Sequence, residues 1–339
     1  MFHDILKNKF ANIISEQDHE GVLTMEKAVA YTDNFSKPAL LRGLVPVDDR
    51  FTKRDFFERV PTSLEVQWRK RSGTGSVSMR GKDGSSDYNY VTGRVGPASE
   101  FLDDIFNENA DTYSHLGTIS SGYSDPYPWG KDLFRLVHSE IFSTPWLQVE
   151  GWRTSGHMFL GYSTEEFGEP GTGAVGSDWH MFPTMNVFVM IAGIKKWSTR
   201  PPAIGDQYRD YDLMFPTSSG REAPAGEFNA DTVYLEPGDV LINPPFEWHK
   251  VLNGKGLSVG AAFRVIDDTY LNAIAERPQL DLTKAGIGAD VTADTEEMAH
   301  FITSISYASR HLNRAQMLLN DLEYAYLRKG RSASVRIGH

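Results

Sequence analysis

The sequence predicts a mainly β protein with flanking helices, in which short strands form a barrel or sandwich core. From about Leu147 to Arg264 the chain consists of short β-rich runs separated by Gly and Pro. That spacing is typical of sandwiches and barrels. Helical periodicity is confined to segments before and after this stretch. The 339 residues, 40% of them hydrophobic, are enough to bury a sizeable core.

The N-terminal third mixes helices and strands. The predicted elements are a helix over Ile5 to Ser15, a strand over Pro38 to Leu44, a helix over Thr52 to Arg59, a strand over Leu64 to Lys70, and helices over Glu100 to Asn107 and Lys131 to Ile141. The Gly- and Ser-rich segment 71–86 carries several cations. It is either a solvated loop or a lid over an anionic substrate.

The central stretch contains the clearest strand patterns. The predicted strands are His157 to Tyr162, Asn186 to Ala192, Thr232 to Leu235, Asp239 to Asn243 and Leu257 to Phe263. Two helices are predicted between Asp294 and Leu327, and they either cover the barrel or form a homodimer face. The expected organisation is an N-terminal region (1–145) packed on a core (146–266), followed by a helical region (267–339), in one catalytic unit.

Charge and composition exclude several classes of function. The net charge is −11, which disfavours nucleic acid and anionic membranes as partners. The absence of cysteine excludes disulfides, zinc-thiolate sites and cysteine nucleophiles, so a metal must bind to His, Asp, Glu or amide oxygens. Met1 to Glu20 has no hydrophobic signal core, and no run of about 18 apolar residues exists. A soluble cytoplasmic protein is therefore expected.

Two histidines are the candidate metal ligands. His180 precedes a strongly apolar strand, and His249 follows the turn after Pro244-Pro245. A histidine held at the mouth of a strand is well placed to bind a metal. Between them lies Lys195, in a Gly193-Ile-Lys-Lys hairpin return. Because Lys195 and Lys196 are adjacent, one of them faces into a barrel, where it needs an anionic partner such as a carboxylate.

The order and spacing of these residues resemble the JmjC or cupin-like Fe(II)- and 2-oxoglutarate-dependent oxygenases. The shared features are His180, Asn186, Lys195, Pro201-Pro202, Pro237-Gly-Asp-Val-Leu241 and Pro244-Pro-x-x-Trp-His249. The resemblance implies a double-stranded β-helix core (jelly roll or cupin). It also implies Fe(II) bound by His180 and His249, 2-oxoglutarate contacted by Lys195 and Asn186, and hydroxylation of a C–H bond in a protein or small-molecule substrate.

The chain departs from this family at the third metal ligand. The family has His-x-Asp or His-x-Glu, whereas here Phe182 stands in the carboxylate position. Asp178, two residues before His180, or Glu247, two residues before His249, could supply the carboxylate, since alternate residues of a strand share a face. Water or an anion is another candidate. A non-catalytic cupin-like binding protein, or a metal enzyme that does not use 2-oxoglutarate, are the alternative functions.

Overall fold

The computed structural model describes residues 13–33, 37–70, 94–107, 111–116, 127–148, 152–167, 176–180, 186–200, 231–244 and 247–267. Within these ranges the protein is mainly β-sheet with a few helices, as predicted. The C-terminal helices, the segment 71–86 and Phe182 lie outside the described residues. Most of the helix predicted over Ile5 to Ser15 also lies outside, and its end, Ile13–Ile14, is a strand. In the described part of the chain, no helix has the length and apolarity needed to cross a membrane.

The N-terminal region alternates short helices and strands. Its strands are β1 (Ile13–Ile14), β2 (Ala39–Leu41), β3 (Glu65–Lys70), β4 (Arg94–Pro97) and β5 (Thr112–Leu116). Its helices are α1 (Glu16–His19), α2 (Met25–Tyr31), a 3-10 turn (Asp49–Thr52), α3 (Arg54–Phe57), α4 (Ala98–Phe106) and α5 (Pro128–Ile141). The helix predicted over Thr52 to Arg59 is therefore shorter than expected and follows a 3-10 turn.

Eight further strands form the centre of the fold. They are β6 (Trp152–Ser163), β7 (Gly176–His180), β8 (Asn186–Ala192), β9 (Lys195–Arg200), β10 (Asp231–Leu235), β11 (Val240–Asn243), β12 (Trp248–Asn253) and β13 (Gly256–Asp267). They are divided between a nine-stranded sheet of order β1-β2-β11-β8-β13-β6-β5-β3-β4 and a four-stranded sheet of order β10-β9-β12-β7. Apart from β9 and β10, which lie side by side in the small sheet, successive strands of this set alternate between the sheets.

Alternation along β8 explains how the two sheets and the helices form layers. Val187, Val189 and Ile191 belong to the apolar cluster shared with α4 and α5. Phe188 and Met190 belong instead to the cluster shared with the small sheet. Because successive side chains of a strand point to opposite faces, one strand contributes to both cores. The large sheet is therefore the middle layer, with helices on one face and the small sheet on the other.

The turn between β8 and β9 positions Lys195. Gly193 has φ +79°, a left-handed conformation that glycine adopts without the steric cost of a Cβ. A Cβ at this residue would collide with the carbonyl oxygen of Leu257. The tight return places Lys195 at the first position of β9, opposite Asn253 of β12.

A partly buried ion pair joins the N-terminal region to the turn before β11. The Arg42 guanidinium donates to the Asp239 carboxylate and to the carbonyl oxygen of Tyr234 at 2.9 Å. The backbone N–H groups of Gly43 and Glu236 donate to the same carboxylate at 3.0 and 2.8 Å. Asp239 is 2% exposed, so this carboxylate satisfies three donors in a site shielded from water.

Replacing Asp239 by alanine is expected to lower the free energy of unfolding by about 2–4 kcal/mol, because it leaves a guanidinium and two N–H groups without their acceptor. Urea unfolding measures this loss. The control is Asp103→Ala, which removes an exposed ion pair with Arg54 at 2.7 Å and should cost less than about 1 kcal/mol. Equal losses in the two variants would show that the Asp239 contacts are not a structural link.

Candidate metal and carboxylate site

A small cavity of about 50 Å³ lies between the two sheets. Tyr113, Phe159, Phe188 and Trp197 supply its aromatic lining. Its polar groups include Ser177, Asn186, Lys195 and His249. The structure therefore brings together at one cavity three of the four residues predicted for the site. A cavity with mostly apolar walls and a few polar groups is typical of small-ligand sites.

The backbone places the fourth predicted residue, His180, directly opposite His249. Strands β7 and β12 are antiparallel, with His180 paired to His249 and Ser177 paired to Val251. Between these pairs, Asp178 and Trp179 on β7 stand against the single residue Lys250 on β12, which is a β-bulge. The bulge interrupts the two-residue alternation on which the Asp178 alternative depends. Asp178 therefore stays a prediction as a metal ligand, but strand alternation does not support it.

His249 is held in one orientation by the backbone and by an aromatic ring. It is 3% exposed, and its ring stacks on Trp197 with centroids 5.1 Å apart and planes 11° apart. Its Nδ1 lies 2.9 Å from the carbonyl oxygen of Glu247. Because a carbonyl only accepts, Nδ1 carries the proton and the lone pair is on Nε2. Metal-binding histidines are commonly oriented in this way.

Asn243 is a second neighbour of the imidazole. Its Nδ2 lies 3.4 Å from His249 Nδ1, and its buried Oδ1 has no hydrogen-bond partner among the described residues. Two donors facing each other do not form a hydrogen bond, so we assign the proton of His249 from the shorter contact to Glu247. The opposite orientation of the Asn243 amide would direct its oxygen to the imidazole N–H and satisfy that oxygen.

Glu247 directly precedes β12 and is buried, at 2% exposure. Its Oε1 accepts a hydrogen bond of 2.9 Å from the Thr199 hydroxyl. Among the side chains that the structure describes, no group of three or more His, Asp or Glu residues could hold a metal ion. Those side chains do not include residues 178–180, so both Glu247 and His180 stay predictions as metal ligands.

Lys195 is the charged group of the cavity. It is 3% exposed, whereas Lys196 is half-buried, so Lys195 is the inward member of the pair. Its Nζ donates a hydrogen bond to Oδ1 of Asn253, and in the described part of the chain no carboxylate pairs with it. Burial lowers the pKa of Lys195 from its ordinary 10.5 to about 7, because the low-polarity surroundings disfavour the charged form.

Asn186 begins β8 at the wall of the cavity. It pairs with Asn243 of β11 and with Arg264 of β13. Its buried Oδ1 has no hydrogen-bond partner within the described ranges. A buried, unsatisfied amide oxygen costs free energy unless a ligand or water satisfies it. This property agrees with a binding role for Asn186, which stays a prediction.

Sequence reasoning did not identify Asn253 or Tyr113. Asn253 lies four residues after His249 on one strand, so alternation places both on the same face. This spacing in the sequence was enough to predict that Asn253 faces the site. Tyr113 comes from β5, outside the central motifs, and reaches the cavity because β5 pairs with β6. Nothing local to Tyr113 in the sequence indicates this contact.

Comparison with known proteins found similarity among solved structures but not among protein families or curated proteins. No protein-family model matches the chain, and no curated protein is similar to it. Among solved structures, the chain is similar to the crystal structure of Escherichia coli ribosomal oxygenase YcfD, with 13% identity and a TM-score of 0.36. The match covers 77% of this chain and 56% of that one, so the chain spans little more than half the length of that protein. The functional argument therefore rests on the chain's own residues.

Proposed function

We propose that this protein is an Fe(II)- and 2-oxoglutarate-dependent oxygenase that hydroxylates a protein or small-molecule substrate. In this proposal the strands from β6 to β13 are a double-stranded β-helix. The alternation of these strands between two sheets supports that assignment. The observation that carries the function is the buried ammonium of Lys195 in the same cavity as an oriented imidazole, His249.

The residues at the cavity fit the two proposed ligands. The lone pair of His249 on Nε2 suits a ferrous ion, and His180, directly opposite on β7, is its proposed partner. The Lys195 ammonium suits the carboxylate of 2-oxoglutarate that is remote from the metal. Bound Fe(II) supplies the activation of dioxygen, in a reaction that decarboxylates 2-oxoglutarate and oxidises a substrate C–H bond.

The chain's own contribution is orientation and exclusion of water. The Glu247 carbonyl and the Trp197 ring hold the imidazole of His249 in one position. The aromatic lining of the cavity keeps the ligand's surroundings apolar, which strengthens the attraction between Lys195 and a carboxylate. The amide oxygen of Asn186, unsatisfied among the described residues, can accept a hydrogen bond from water or a protonated group at the site.

A non-catalytic binding protein is the second candidate. The observation that favours it is Phe182 in place of the family's carboxylate. Such a protein would use Lys195 to hold a carboxylate-bearing ligand without turning it over. The two candidates differ in the release of succinate.

The test is a titration of the purified protein with Fe(II) and 2-oxoglutarate under anaerobic conditions, followed by addition of dioxygen. The oxygenase is expected to show a metal-to-2-oxoglutarate charge-transfer band and then to release succinate. Binding of 2-oxoglutarate without the band and without succinate would support the binding protein. Metal-dependent turnover that is unaffected by 2-oxoglutarate would show a metal enzyme that does not use this cosubstrate. No binding of either ligand would overturn the proposal.

A further inference from the structure

The partner of Lys195 in the cavity is a neutral amide. Lys195 and Asn253 are directly paired across β9 and β12, and Nζ donates to Oδ1 of Asn253. Ser258 of β13 donates to the same oxygen at 3.4 Å, which orients the amide. A buried ammonium is normally paired with a carboxylate, because an amide does not neutralise its charge.

Asn253 is also a costly residue for stability. It is fully buried, and its Nδ2 has no hydrogen-bond acceptor within the described part of the chain. A half-satisfied buried amide beside an uncompensated ammonium is less stable than an apolar pair of similar size. Such departures from polar satisfaction are expected at functional sites. The amide keeps Lys195 in place while leaving its charge available to a ligand.

Burial sets the protonation of Lys195 in the absence of a ligand. Titratable residues at strand positions on the cavity face include Tyr113 and His115 on β5, His157 on β6, Asp231 on β10, His249 on β12 and Arg264 on β13, and Glu247 directly precedes β12. Lys196, Tyr234 and Lys250 occupy the opposite face of the small sheet. Desolvation by burial is the cause of the lowered pKa of Lys195. Near pH 7 a substantial fraction of Lys195 is therefore neutral.

We propose that Asn253 is the resting partner of Lys195, a positioning residue that a ligand carboxylate displaces while Lys195 takes up a proton from solvent. This inference rests on the proposed function, since 2-oxoglutarate is the ligand. The Nζ–H···Oδ1 hydrogen bond breaks, an ammonium–carboxylate pair forms, and Lys195, where it is neutral, takes up one proton from the buffered solvent at Nζ. The site thereby binds an anion more tightly than a neutral ligand of the same shape.

The experiment measures the Kd of 2-oxoglutarate by calorimetry from pH 6.5 to 9, with Mn(II) bound anaerobically in place of Fe(II). For the wild-type protein, affinity is expected to fall about tenfold for each pH unit above pH 7.5, as neutral Lys195 must be protonated on binding. Buffers of different ionisation enthalpy should show uptake of about one proton at pH 8.

Two substitutions at Asn253 shift this pH dependence in opposite directions. Asn253→Asp supplies a carboxylate that keeps Lys195 charged, so the dependence from pH 7 to 9 should flatten, and Kd at pH 7 should rise about tenfold or more through competition. Asn253→Leu removes the acceptor, so the fall in affinity should begin below pH 7. A residue that only supports the fold would shift neither profile.

The outcomes separate this inference from the proposed function. Wild-type binding of 2-oxoglutarate with unchanged pH profiles in both variants would overturn the role of Asn253 and leave the oxygenase proposal standing. Absence of 2-oxoglutarate binding in the wild-type protein would overturn both. Mn(II) affinity, which should be unaltered in the variants, confirms that they are folded.

Discussion

Replacing His249 by alanine is expected to weaken Fe(II) binding by more than about 100-fold and to reduce succinate release to background. The imidazole is the proposed ligand that the structure describes in full, with its Nδ1 proton directed to the Glu247 carbonyl and its ring against Trp197. Loss of a group that merely orients a metal ligand costs about 10–100-fold in affinity or activity, so loss of the ligand itself should cost more. Competition between Fe(II) and Mn(II) for the site, followed by the electron paramagnetic resonance signal of Mn(II), measures the affinity.

The matched control is Lys250→Ala, one residue further along β12 and on the opposite face of the sheet. That variant should bind Mn(II) and release succinate as the wild-type protein does. Circular dichroism should show that both variants are folded. A His249→Ala protein that kept wild-type metal affinity would exclude His249 as a ligand, and with it the proposed site.

Replacing Lys195 by methionine is expected to abolish 2-oxoglutarate binding and at the same time to stabilise the fold. Lowering the pKa of a lysine from 10.5 to about 7 means that its charged form is strongly disfavoured in the folded state. Replacing buried charges by apolar residues of similar volume often stabilises proteins by about 1–4 kcal/mol. The gain expected here is smaller, about 1–3 kcal/mol at pH 7, because the variant also loses the hydrogen bond from Lys195 to Asn253. Urea unfolding gives the free energy, and calorimetry gives Kd.

The stability difference should depend on pH in a defined direction. The folded-state pKa of Lys195, about 7, lies below the ordinary value of 10.5. Between these two values the unfolded state binds more protons, so the stability of the wild-type protein rises with pH. The advantage of Lys195→Met should therefore be greatest at or below pH 7 and should shrink as the pH approaches 10.5.

The control for this prediction is Lys196→Met, on the adjacent and half-buried residue. Because Lys196 faces away from the cavity, this change should leave Kd within about twofold and alter stability by less than about 0.5 kcal/mol. If Lys195→Met were less stable than the wild-type protein and still bound 2-oxoglutarate, the lysine would have a structural role and no role in binding.

Local patterns predicted the strands of the core well. Asn186 to Ala192 was predicted as a strand and is β8, because a run of β-branched and aromatic residues next to a turn glycine favours extended structure. Alternation also predicted that only one of Lys195 and Lys196 would face inward, and Lys195 is that residue. The 3-10 turn before α3 and the strand at Ile13–Ile14 were not predicted, since short elements are decided by their packing partners more than by propensity.

The sequence by itself indicated the class of fold through strand periodicity, which is a local property, and its resemblance to the JmjC or cupin-like family implied the candidate residues His180, Asn186, Lys195 and His249. Only the tertiary structure decided what surrounds three of them: Tyr113 and Trp197 reach the cavity through strand pairing and packing between the sheets, and Asn253 is brought to Lys195 by the pairing of β9 with β12. It also revealed the bulge in β7, because register depends on the partner strand, β12. The charge state of Lys195 depends in the same way on burial, which strands distant in sequence create.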